Sequence, residues 1–319
     1  MDSGSRYDGR TNEKLLAVFA EALEVGRAMT LSIIIPCRNA ARTIDETLQA
    51  LAAQNWPGAW EVIVADNGST DDLAKVVARH IPRMPGLRLI DASGRRGASY
   101  ARNVGVRAAT GEGILFCDAD DVPAPGWAVS MEAALRVHGF VASRLEFEKL
   151  NSQAVRSARG CTQVTGLQQF RFLPYPHAGS GTLGITRALH DAVAGFDETI
   201  PICEDIDYCM RVQQKGVRLE FVPDAVLHCR LRASKKGVYA QASQYAEYEV
   251  YLYKKYGAGY LWEWWRWRKY GQAWRALLGR MLELLRTPEG KTMLAWRLGR
   301  LMGLLKGSVR FGAPPVMVE

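Results

Sequence analysis

The chain of 319 residues lacks several features that would assign it at once to a large class of proteins. Its six cysteines form no Cys-x-x-Cys pair, so neither a paired-cysteine zinc site nor a redox dithiol is indicated. No apolar run reaches the roughly 18 residues of a membrane span, and no apolar signal-peptide core follows the N-terminus. The simplest interpretation of the cysteines is reduced, mostly buried thiols in a cytosolic protein.

Internal repeats and low-complexity tracts are also missing. The turn after the first predicted strand, Pro36-Cys-Arg-Asn39, lacks the Gly-x-Gly-x-x-Gly that a dinucleotide-dependent oxidoreductase needs there. The composition, 48% hydrophobic and 23% charged, is that of a globular protein. It predicts one large domain with an appendage.

Charge and tryptophan are concentrated near the C-terminus. Residues 254–319 contain 13 Lys+Arg and 4 Asp+Glu, whereas residues 1–253 contain 28 and 29. Six of the nine tryptophans lie in the same final segment. The sequence therefore predicts a nearly neutral body followed by a basic, Trp-rich tail.

Strand-like and helix-like segments alternate between residues 31 and 118. Four buried strands are predicted, with a helix after each of the first three: Leu31–Pro36, Trp60–Asp66, Leu87–Ile90 and Ile114–Cys117. This order predicts a mostly parallel sheet with right-handed crossovers, on which ligands bind beyond the carboxyl ends of the strands. Asn12–Met29 has the spacing of an accessory helix. We therefore divide the chain into residues 1–30, a main domain at 31–256 and a helical segment at 257–319.

Three carboxylates, Asp118, Asp120 and Asp121, follow the fourth strand directly. An Asp-x-Asp at the edge of a sheet is costly because its charges repel, unless a cation or a donor-rich ligand offsets them. A divalent cation held between protein and phosphate oxygens meets that requirement. The alternative is an acidic turn before Pro123, since aspartate is common in turns.

The order of short motifs along the chain carries further information. They are Pro36-Cys-Arg-Asn39, Val64–Asp71, Ala101-Arg-Asn103, Gly111-Glu112, Asp118–Asp121, Gly195-Phe-Asp-Glu198, Glu204–Asp207 with Arg211, and His228. Each motif is weak alone, but in this order and at these intervals they resemble the inverting family 2 glycosyltransferases over about residues 31–256. The resemblance implies a GT-A fold: an α/β, Rossmann-like nucleotide-sugar-binding domain with a mostly parallel central sheet. Here a C-terminal helical, basic, Trp-rich appendage follows it.

The resemblance also implies a donor site. Its nucleotide-sugar-binding residues would be Pro36, Arg38, Asn39, Asp66, Arg102, Asp118 and Ala119. Asp66 would accept the imide N–H of uracil and Asp118 would contact the ribose, while Asp120 would hold Mn²⁺ or Mg²⁺ with diphosphate oxygens. His228 would be a further metal contact. The alternatives are an Asx turn for Asp66, a surface salt bridge for Arg102 and a structural role for His228.

Inversion requires a base opposite the leaving diphosphate to take the proton of the acceptor hydroxyl. The resemblance assigns that role to Asp205, with Glu204 as the second catalytic candidate, which orients the base or shapes the acceptor side. Gly181 and Thr182 lie in a small, flexible stretch that we expect on the acceptor side. Adjacent carboxylates at a helix start can also simply complement the helix dipole.

The basic tail has two interpretations. Trp262–Lys269 interleaves aromatic and basic residues, and apolar stripes near residues 277–285 and 298–305 have helical spacing. Such segments fit a peripheral anchor on an anionic membrane surface. They also fit helices that pack on the main domain or on a second subunit. No recognised nucleic-acid-binding module surrounds them, so no nucleic-acid partner is predicted.

The sequence therefore predicts an inverting glycosyltransferase that moves a sugar from a nucleoside diphosphate sugar, with a UDP-sugar favoured, to an acceptor hydroxyl. We expect it to act in cell-envelope polysaccharide, glycolipid or other glycoconjugate synthesis, with an acceptor that can be lipid-linked. We place it in the cytoplasm, peripheral on the inner face of the cytoplasmic membrane, and leave its oligomeric state open. The alternatives are a glycosyltransferase of small-molecule natural products and a non-catalytic nucleotide-sugar-binding protein on the same fold.

Overall fold

The structure is a computed structural model that describes residues 29–257 and 264–317. The predicted accessory helix, Asn12–Met29, lies outside the described residues except for its last position. All six cysteines lie within the described part, and none of them is in a disulfide. Four of them are buried, as expected.

The first half of the main domain alternates strands and helices, as predicted. The strands are Leu31–Cys37 (β1), Trp60–Asp66 (β2), Leu87–Asp91 (β3) and Gly113–Phe116 (β4), and the helices between them are Ile44–Ala52 (α1), Leu73–His80 (α2) and Ala98–Ala108 (α3). A short 3₁₀ turn, Ile81–Arg83, follows α2. β1 pairs in parallel with β2 and with β4, and β2 pairs in parallel with β3. Helices cover both faces of this sheet, which is why β1 and β4 are almost continuously apolar.

The second half extends the same sheet with mixed pairing. Its elements are Val122–Pro123 (β5), Trp127–His138 (α4), Phe140–Glu146 (β6), Gln153–Arg159 (α5), Leu183–Thr186 (β7), Arg187–Ala192 (α6), Glu204–Gln213 (α7) and Glu220–His228 (β8). The strand order across the sheet is β3-β2-β1-β4-β7-β6-β8-β5. β7 is antiparallel to both β4 and β6, so this half supplies the antiparallel part of the sheet.

One strand of this half contains a proline. β8 runs from Glu220 through Pro223 to His228. Its register against β6 jumps, so that Ser143 pairs with Val222 and Arg144 with Val226. The intervening residues form a bulge, which places the proline where no ladder N–H is needed.

Three long helices complete the fold: Lys235–Tyr256 (α8), Trp264–Leu284 (α9) and Pro288–Phe311 (α10). α8 and α10 approach so closely that their backbones nearly touch. Glycines at every fourth position of α10 face backbone carbonyl oxygens of α8: Gly299 faces Tyr239, Gly303 faces Ser243 and Gly307 faces Glu247. A Cβ atom at Gly303 would lie 2.1 Å from the oxygen of Ser243. The packing alternative for the tail is therefore realised in α10.

The helices on either side of the predicted boundary at residue 257 share one apolar cluster. It contains Ala246 and Val250 of α8 together with Leu277 of α9 and Leu304 of α10. The division into three segments stays a prediction, but α10 is packed against the main domain through α8. Within the described residues, no helix combines the length and the apolar character that a bilayer span requires.

Candidate active site

The carboxyl ends of β1, β2 and β4 lie at one edge of the sheet, because these strands run in the same direction. The turns after β1 and β2 are joined through Asn39. Its Oδ1 accepts a hydrogen bond from the backbone N–H of Thr70 at 2.8 Å, and its own N–H donates to Oγ of Ser69 at 2.9 Å. Oδ1 of Asp66 accepts from the N–H of Ser69, three residues further on, at 2.8 Å, so its carboxylate closes the turn after β2 and does not cap the helix that follows. Its base-binding role stays a prediction.

Three other nucleotide-binding candidates lie near this edge of the sheet. Pro36 is half-buried within β1, and Arg38 is exposed just after it. Ala119 is buried in the loop that leads from β4 to β5. The structure thus places them close to the predicted edge, and their contacts with a nucleotide stay predictions.

The acidic loop after β4 is held by contacts from two sides. Thr47 of α1 donates its hydroxyl to the carbonyl oxygen of Asp121 at 2.7 Å. The N–H of Arg230 donates to Oδ1 of Asp121 at 2.9 Å, and its Nε donates to the carbonyl oxygen of Asp120 at 3.2 Å. Asp121 is therefore a buried anchor of the loop, whereas the side chain of Asp120 is open to the cavity below.

Two carboxyl groups of this loop, those of Asp120 and Asp121, have raised pKa values. Burial within the surrounding protein, together with the neighbouring Asp118, raises the pKa of Asp120 to about 6. Burial and the neighbouring Asp118 and Asp120 raise the pKa of Asp121 well above its usual value. A bound cation would relieve this repulsion, because it favours the charged form of both groups.

Arg102 of α3 is a buried cross-link and not a surface residue. Its guanidinium donates to Oδ1 of Asp118 at 2.8 Å and to Oε1 of Glu204 at 2.9 Å, and it lies over the ring of Phe196. The residue is only 3% exposed. The surface salt bridge is thus excluded. The structure instead joins the predicted ribose contact to the predicted acceptor side through one arginine.

The N-terminus of α7 presents Glu204 and Asp205 to the same cavity. Cys203, just before it, has a φ of 61°, a left-handed conformation that turns the chain into the helix. The carboxylate of Asp205 accepts hydrogen bonds from the N–H of Ile206 at 2.8 Å and of Ser180 at 3.3 Å. Burial and the adjacent Glu204 outweigh these hydrogen bonds and raise the pKa of Asp205 to about 7. A carboxylate with such a pKa accepts protons well near neutral pH.

The acceptor-side candidates Gly181 and Thr182 lie in a 3₁₀ turn, Ser180–Thr182, against the acidic loop. A Cβ atom at residue 181 would lie 2.8 Å from Oδ2 of Asp118, so only glycine fits there without displacing that carboxylate. Thr182 is buried, and its hydroxyl accepts from Nε2 of Gln163 at 2.8 Å and donates to the carbonyl oxygen of Gly179 at 2.7 Å. Thr182 therefore holds the turn in place.

His228 has a different surrounding from the one we expected. Its Nδ1 lies 2.5 Å from Oε2 of Glu146, its neighbour in the β6–β8 register. Adjacent side chains of a strand point to opposite faces, and Leu145 lines the cavity, so the Glu146–His228 pair lies on the other face. Metal ligation by His228 stays a prediction, and this geometry favours the structural alternative.

The central cavity has a volume of about 500 Å³. Predicted site residues that line it are Arg102, Asp118, Asp120, Gly181, Thr182, Glu204 and Asp205. Residues that the sequence did not single out also line it: Phe147, Gln168, Phe170, His177, Gln241, Tyr245 and Glu249. Three of these are spaced four apart on α8, a signal that a helical pattern alone cannot distinguish from core packing.

The donor atoms of the cavity fit a hard divalent cation that is shared with a ligand. Among residues 29–257 and 264–317, no group of three or more His, Cys, Asp or Glu side chains that could hold a metal occurs. The protein offers the carboxylate of Asp120, which lines the cavity. Mg²⁺ and Mn²⁺ fit such a site when phosphate oxygens and water complete their coordination.

The strand order, with acidic side chains at the carboxyl ends of the parallel strands, is the architecture of the GT-A fold. Residues 32–180 match the family model described as "Glycosyl transferase family 2". The glycosyltransferase YibD of Escherichia coli is 38% identical over 91 residues, which are 28% of this chain and 26% of YibD. The chain thus spans about a quarter of the length of that relative.

Two solved structures have the same fold. The mannosyltransferase PcManGT from Pyrobaculum calidifontis, in complex with GDP-Man and Mn²⁺, matches with a TM-score of 0.60 at 20% identity. The match covers 93% of this chain and 94% of PcManGT. TarS 1–349 of S. aureus in complex with UDP matches with a TM-score of 0.53 at 18% identity, over 89% of this chain and 92% of that one. At these identities the matches establish the fold.

Proposed function

We propose that the protein transfers a sugar, with inversion, from a nucleoside diphosphate sugar to an acceptor hydroxyl. The observation that carries this proposal is the placement of Asp205. It lines the same cavity as Asp118 and Asp120, and its pKa is raised to about 7. In the proposed reaction its carboxylate takes the proton of the acceptor hydroxyl while the hydroxyl oxygen attacks the anomeric carbon. The bond to the diphosphate breaks in the same displacement, so no covalent sugar–protein intermediate forms.

Glu204 is a less suitable base than Asp205. Its carboxylate is held by Arg102 in a buried ion pair, which occupies one of its oxygens. We therefore assign Asp205 as the base and Glu204 as a residue that positions Arg102 and the start of α7.

For the donor we favour a UDP-sugar. The support is Asp66 at the end of β2, a carboxylate that can accept the imide N–H of uracil, with Asp118 placed for the ribose. The solved structure of TarS 1–349 holds UDP and that of PcManGT holds GDP-Man, so relatives of this fold bind either base. The identity of the base and of the sugar in the donor therefore belongs to the proposal.

We also propose that Asp120 holds Mn²⁺ or Mg²⁺ through its carboxylate. When bound, the cation would stabilise the departing diphosphate and offset the repulsion among the three carboxylates. His228 is the weaker ligand candidate, because it is paired with Glu146. Arg230, whose backbone already holds Asp121, lines the cavity where an anionic diphosphate would lie.

For the acceptor we favour a hydroxyl in cell-envelope polysaccharide, glycolipid or another glycoconjugate. A lipid-linked acceptor requires the enzyme to work as a peripheral protein on the cytoplasmic face of the membrane. A small-molecule natural product is the second candidate for the acceptor, since a cavity of about 500 Å³ suits a compact ligand as well.

The test combines binding and turnover. Nucleoside diphosphate sugars, each with and without Mn²⁺, are screened for an increase in melting temperature. A ligand present at about 100 times its Kd adds about 2.7 kcal/mol to the free energy of unfolding. A metal-dependent increase with one donor, and release of its nucleoside diphosphate on adding acceptor, support the proposal. If the wild type binds a donor but releases no nucleotide with any acceptor, and Asp205→Asn behaves identically, the non-catalytic alternative is correct.

A further inference from the structure

The helix α9 has two apolar faces, and the part of the chain that the structure describes covers only one of them. Its inner face carries Tyr270, Leu277 and Leu284, each less than 9% exposed, which pack into the cluster shared with α8 and α10. The hydroxyl of Tyr270 donates to the carbonyl oxygen of Leu301 at 2.9 Å. This face attaches α9 to the rest of the fold.

The outer face of α9 carries an exposed apolar stripe. Leu278, Met281, Leu282 and Leu285 are 58%, 37%, 73% and 43% exposed, respectively. Their spacing of i, i+3, i+4 and i+7 places them on one side of the helix. Seven of the eleven exposed large apolar side chains in the described chain lie in α9, in α10 or in the turn between them, so the stripe is not ordinary scatter.

Cationic side chains accompany the stripe. The exposed Arg268 and Arg275 are 7 residues apart, close to two helical turns, and so lie along one line of α9, while the exposed Arg286 follows in the turn just after the helix. Near the start of the helix, Arg266 and Lys269 place their charges 4.7 Å and 5.2 Å from the ring of Trp265, which is 39% exposed. An aromatic ring among cations beside an apolar stripe is typical of helices at a membrane interface.

The net charge of residues 264–317 favours an anionic partner. Residues 264–317 contain 11 Lys+Arg and 2 Asp+Glu, a net charge of +9, while the full chain has +8. The rest of the protein is therefore close to neutral. A second copy would bring the same positive segment against this one, which is unfavourable, whereas a surface of anionic lipids is complementary in charge and accepts the apolar stripe.

We propose that the outer face of α9 docks the protein on an anionic lipid bilayer, with Leu278, Met281, Leu282 and Leu285 inserted among the acyl chains. Arg268, Arg275 and Arg286 contact lipid phosphates at the edge of the inserted stripe. The membrane supplies no reactant in this proposal. It would place the enzyme beside a lipid-linked acceptor, and in that respect it rests on the proposed function, but the docking itself does not depend on sugar transfer.

The experiment is co-sedimentation of the full chain with vesicles of phosphatidylcholine alone and of an equal mixture with phosphatidylglycerol. We expect the wild type to bind only the anionic vesicles, and binding to weaken as salt is raised. The double variant Leu278→Gln/Leu282→Gln should lose at least about tenfold in affinity, since two exposed leucines no longer leave water. Val137→Gln, which removes a 60% exposed valine from α4, is the matched control and should bind like the wild type.

The contribution of the cationic side chains is tested separately with the double variant Arg268→Glu/Arg275→Glu. This variant should have a lower affinity for anionic vesicles, and most of the salt dependence of binding should be lost. Circular dichroism and the donor-induced increase in melting temperature show that each variant is folded. Loss of vesicle binding with that increase intact separates this proposal from failure of the proposed function.

Three outcomes would overturn the proposal. The first is a leucine double variant that binds anionic vesicles as tightly as the wild type. The second is a wild type that self-associates through this face, seen as a larger mass by light scattering that the leucine substitutions reduce. The third is vesicle binding only after residues 1–28 are removed, which would mean that those residues cover the stripe in the full chain.

Discussion

Replacement of Asp205 by asparagine is expected to stabilise the protein at alkaline pH while it removes most of the turnover. The pKa of Asp205 is raised to about 7 in the folded protein, from an ordinary value of 3.8. The folded state therefore holds this proton more tightly than the unfolded state does. The stability of the wild type falls as the pH rises between these two values, and the loss is complete above pH 7.

The size of that loss follows from the shift. Three pKa units correspond to about 4 kcal/mol, and because the carboxylate is partly accessible from the cavity we expect about 2 kcal/mol. Asparagine does not ionise and escapes this loss. It changes the hydrogen bonds from Ile206 and Ser180, but equally at every pH. The melting temperature of the variant minus that of the wild type should therefore increase by a few degrees between pH 5 and pH 8.

The same substitution removes the proposed base. We expect turnover to fall by about 10²- to 10⁴-fold, the usual contribution of general base catalysis. In the wild type, turnover should decline about tenfold per pH unit below pH 7, because only the ionised carboxylate accepts a proton. Initial rates of nucleotide release across pH measure both effects, and calorimetry without donor or metal measures the stability.

Glu204→Gln is the control from the adjacent position. It leaves Arg102 with one carboxylate partner in place of two, so it should destabilise the protein at both pH values. Parallel pH dependences of melting temperature for Asp205→Asn and the wild type would refute the argument for a raised pKa. Undiminished turnover of Asp205→Asn would refute its role as the base.

Three further predictions test the packing and the donor site. Gly303→Ala should lower the free energy of unfolding by about 2 kcal/mol, because the added Cβ would lie 2.1 Å from the carbonyl oxygen of Ser243. Gly279→Ala is the control: a Cβ there has nothing within 4 Å, so this substitution should raise the free energy of unfolding by about 0.5–1 kcal/mol, and equal effects of the two substitutions in chemical denaturation would contradict the prediction. Asp120→Asn should abolish the Mn²⁺-dependent part of the donor-induced increase in melting temperature, and an unchanged increase would show that the metal lies elsewhere. Arg102→Met should cost about 3–5 kcal/mol in urea denaturation because it leaves two carboxylates unpaired, and a cost below 1 kcal/mol would show that the ion pairs contribute little.

The parallel half of the fold is predictable because its information is local. The apolar run of β1 is buried on both faces, and only a sheet covered by helices on both sides requires that pattern. Parallel strands then bring Asp66 and the acidic loop to one edge without any knowledge of side-chain contacts. The bounds of β8 cannot be read from the sequence, because a proline such as Pro223 cannot donate to a strand ladder and is typical of a strand end. Whether a bulge accommodates it depends on the pairing with β6.

The contacts of Arg102 and His228 could not be predicted, since they depend on residues distant in sequence. Arg102 and Glu204 are 102 positions apart, and helical periodicity gives no indication that a charged residue of α3 points inward to meet α7. The face on which His228 lies is set by its register against β6, which also supplies Glu146. The same reason applies to Tyr245 and Glu249 of α8, whose spacing equals that of ordinary core residues.

Because α10 packs closely against α8, truncation of the chain is a poor test of membrane binding by the tail. A chain that ends near Gly257 would remove α10 and expose the face of α8 that its glycines cover. It would also leave the buried Glu249, which lines the cavity, without Arg300, whose guanidinium holds it at 2.7 Å and 2.9 Å. Loss of membrane binding by such a chain would not distinguish an anchor from a misfolded site. Substitution of exposed residues on α9 is therefore the more specific experiment.

Arg102 divides the carboxylates of the cavity into two kinds. Its guanidinium forms ion pairs with Asp118 and Glu204. Asp120 and Asp205 form no ion pair among the described residues, and burial together with the neighbouring Asp118 and Glu204, respectively, raises the pKa of each. In the proposed reaction Asp120 would face the diphosphate, where a divalent cation is the suitable counter-ion. Asp205 would face the acceptor and take the proton of its hydroxyl. The proposal thus assigns the metal and the proton to the two carboxylates that Arg102 does not hold in an ion pair.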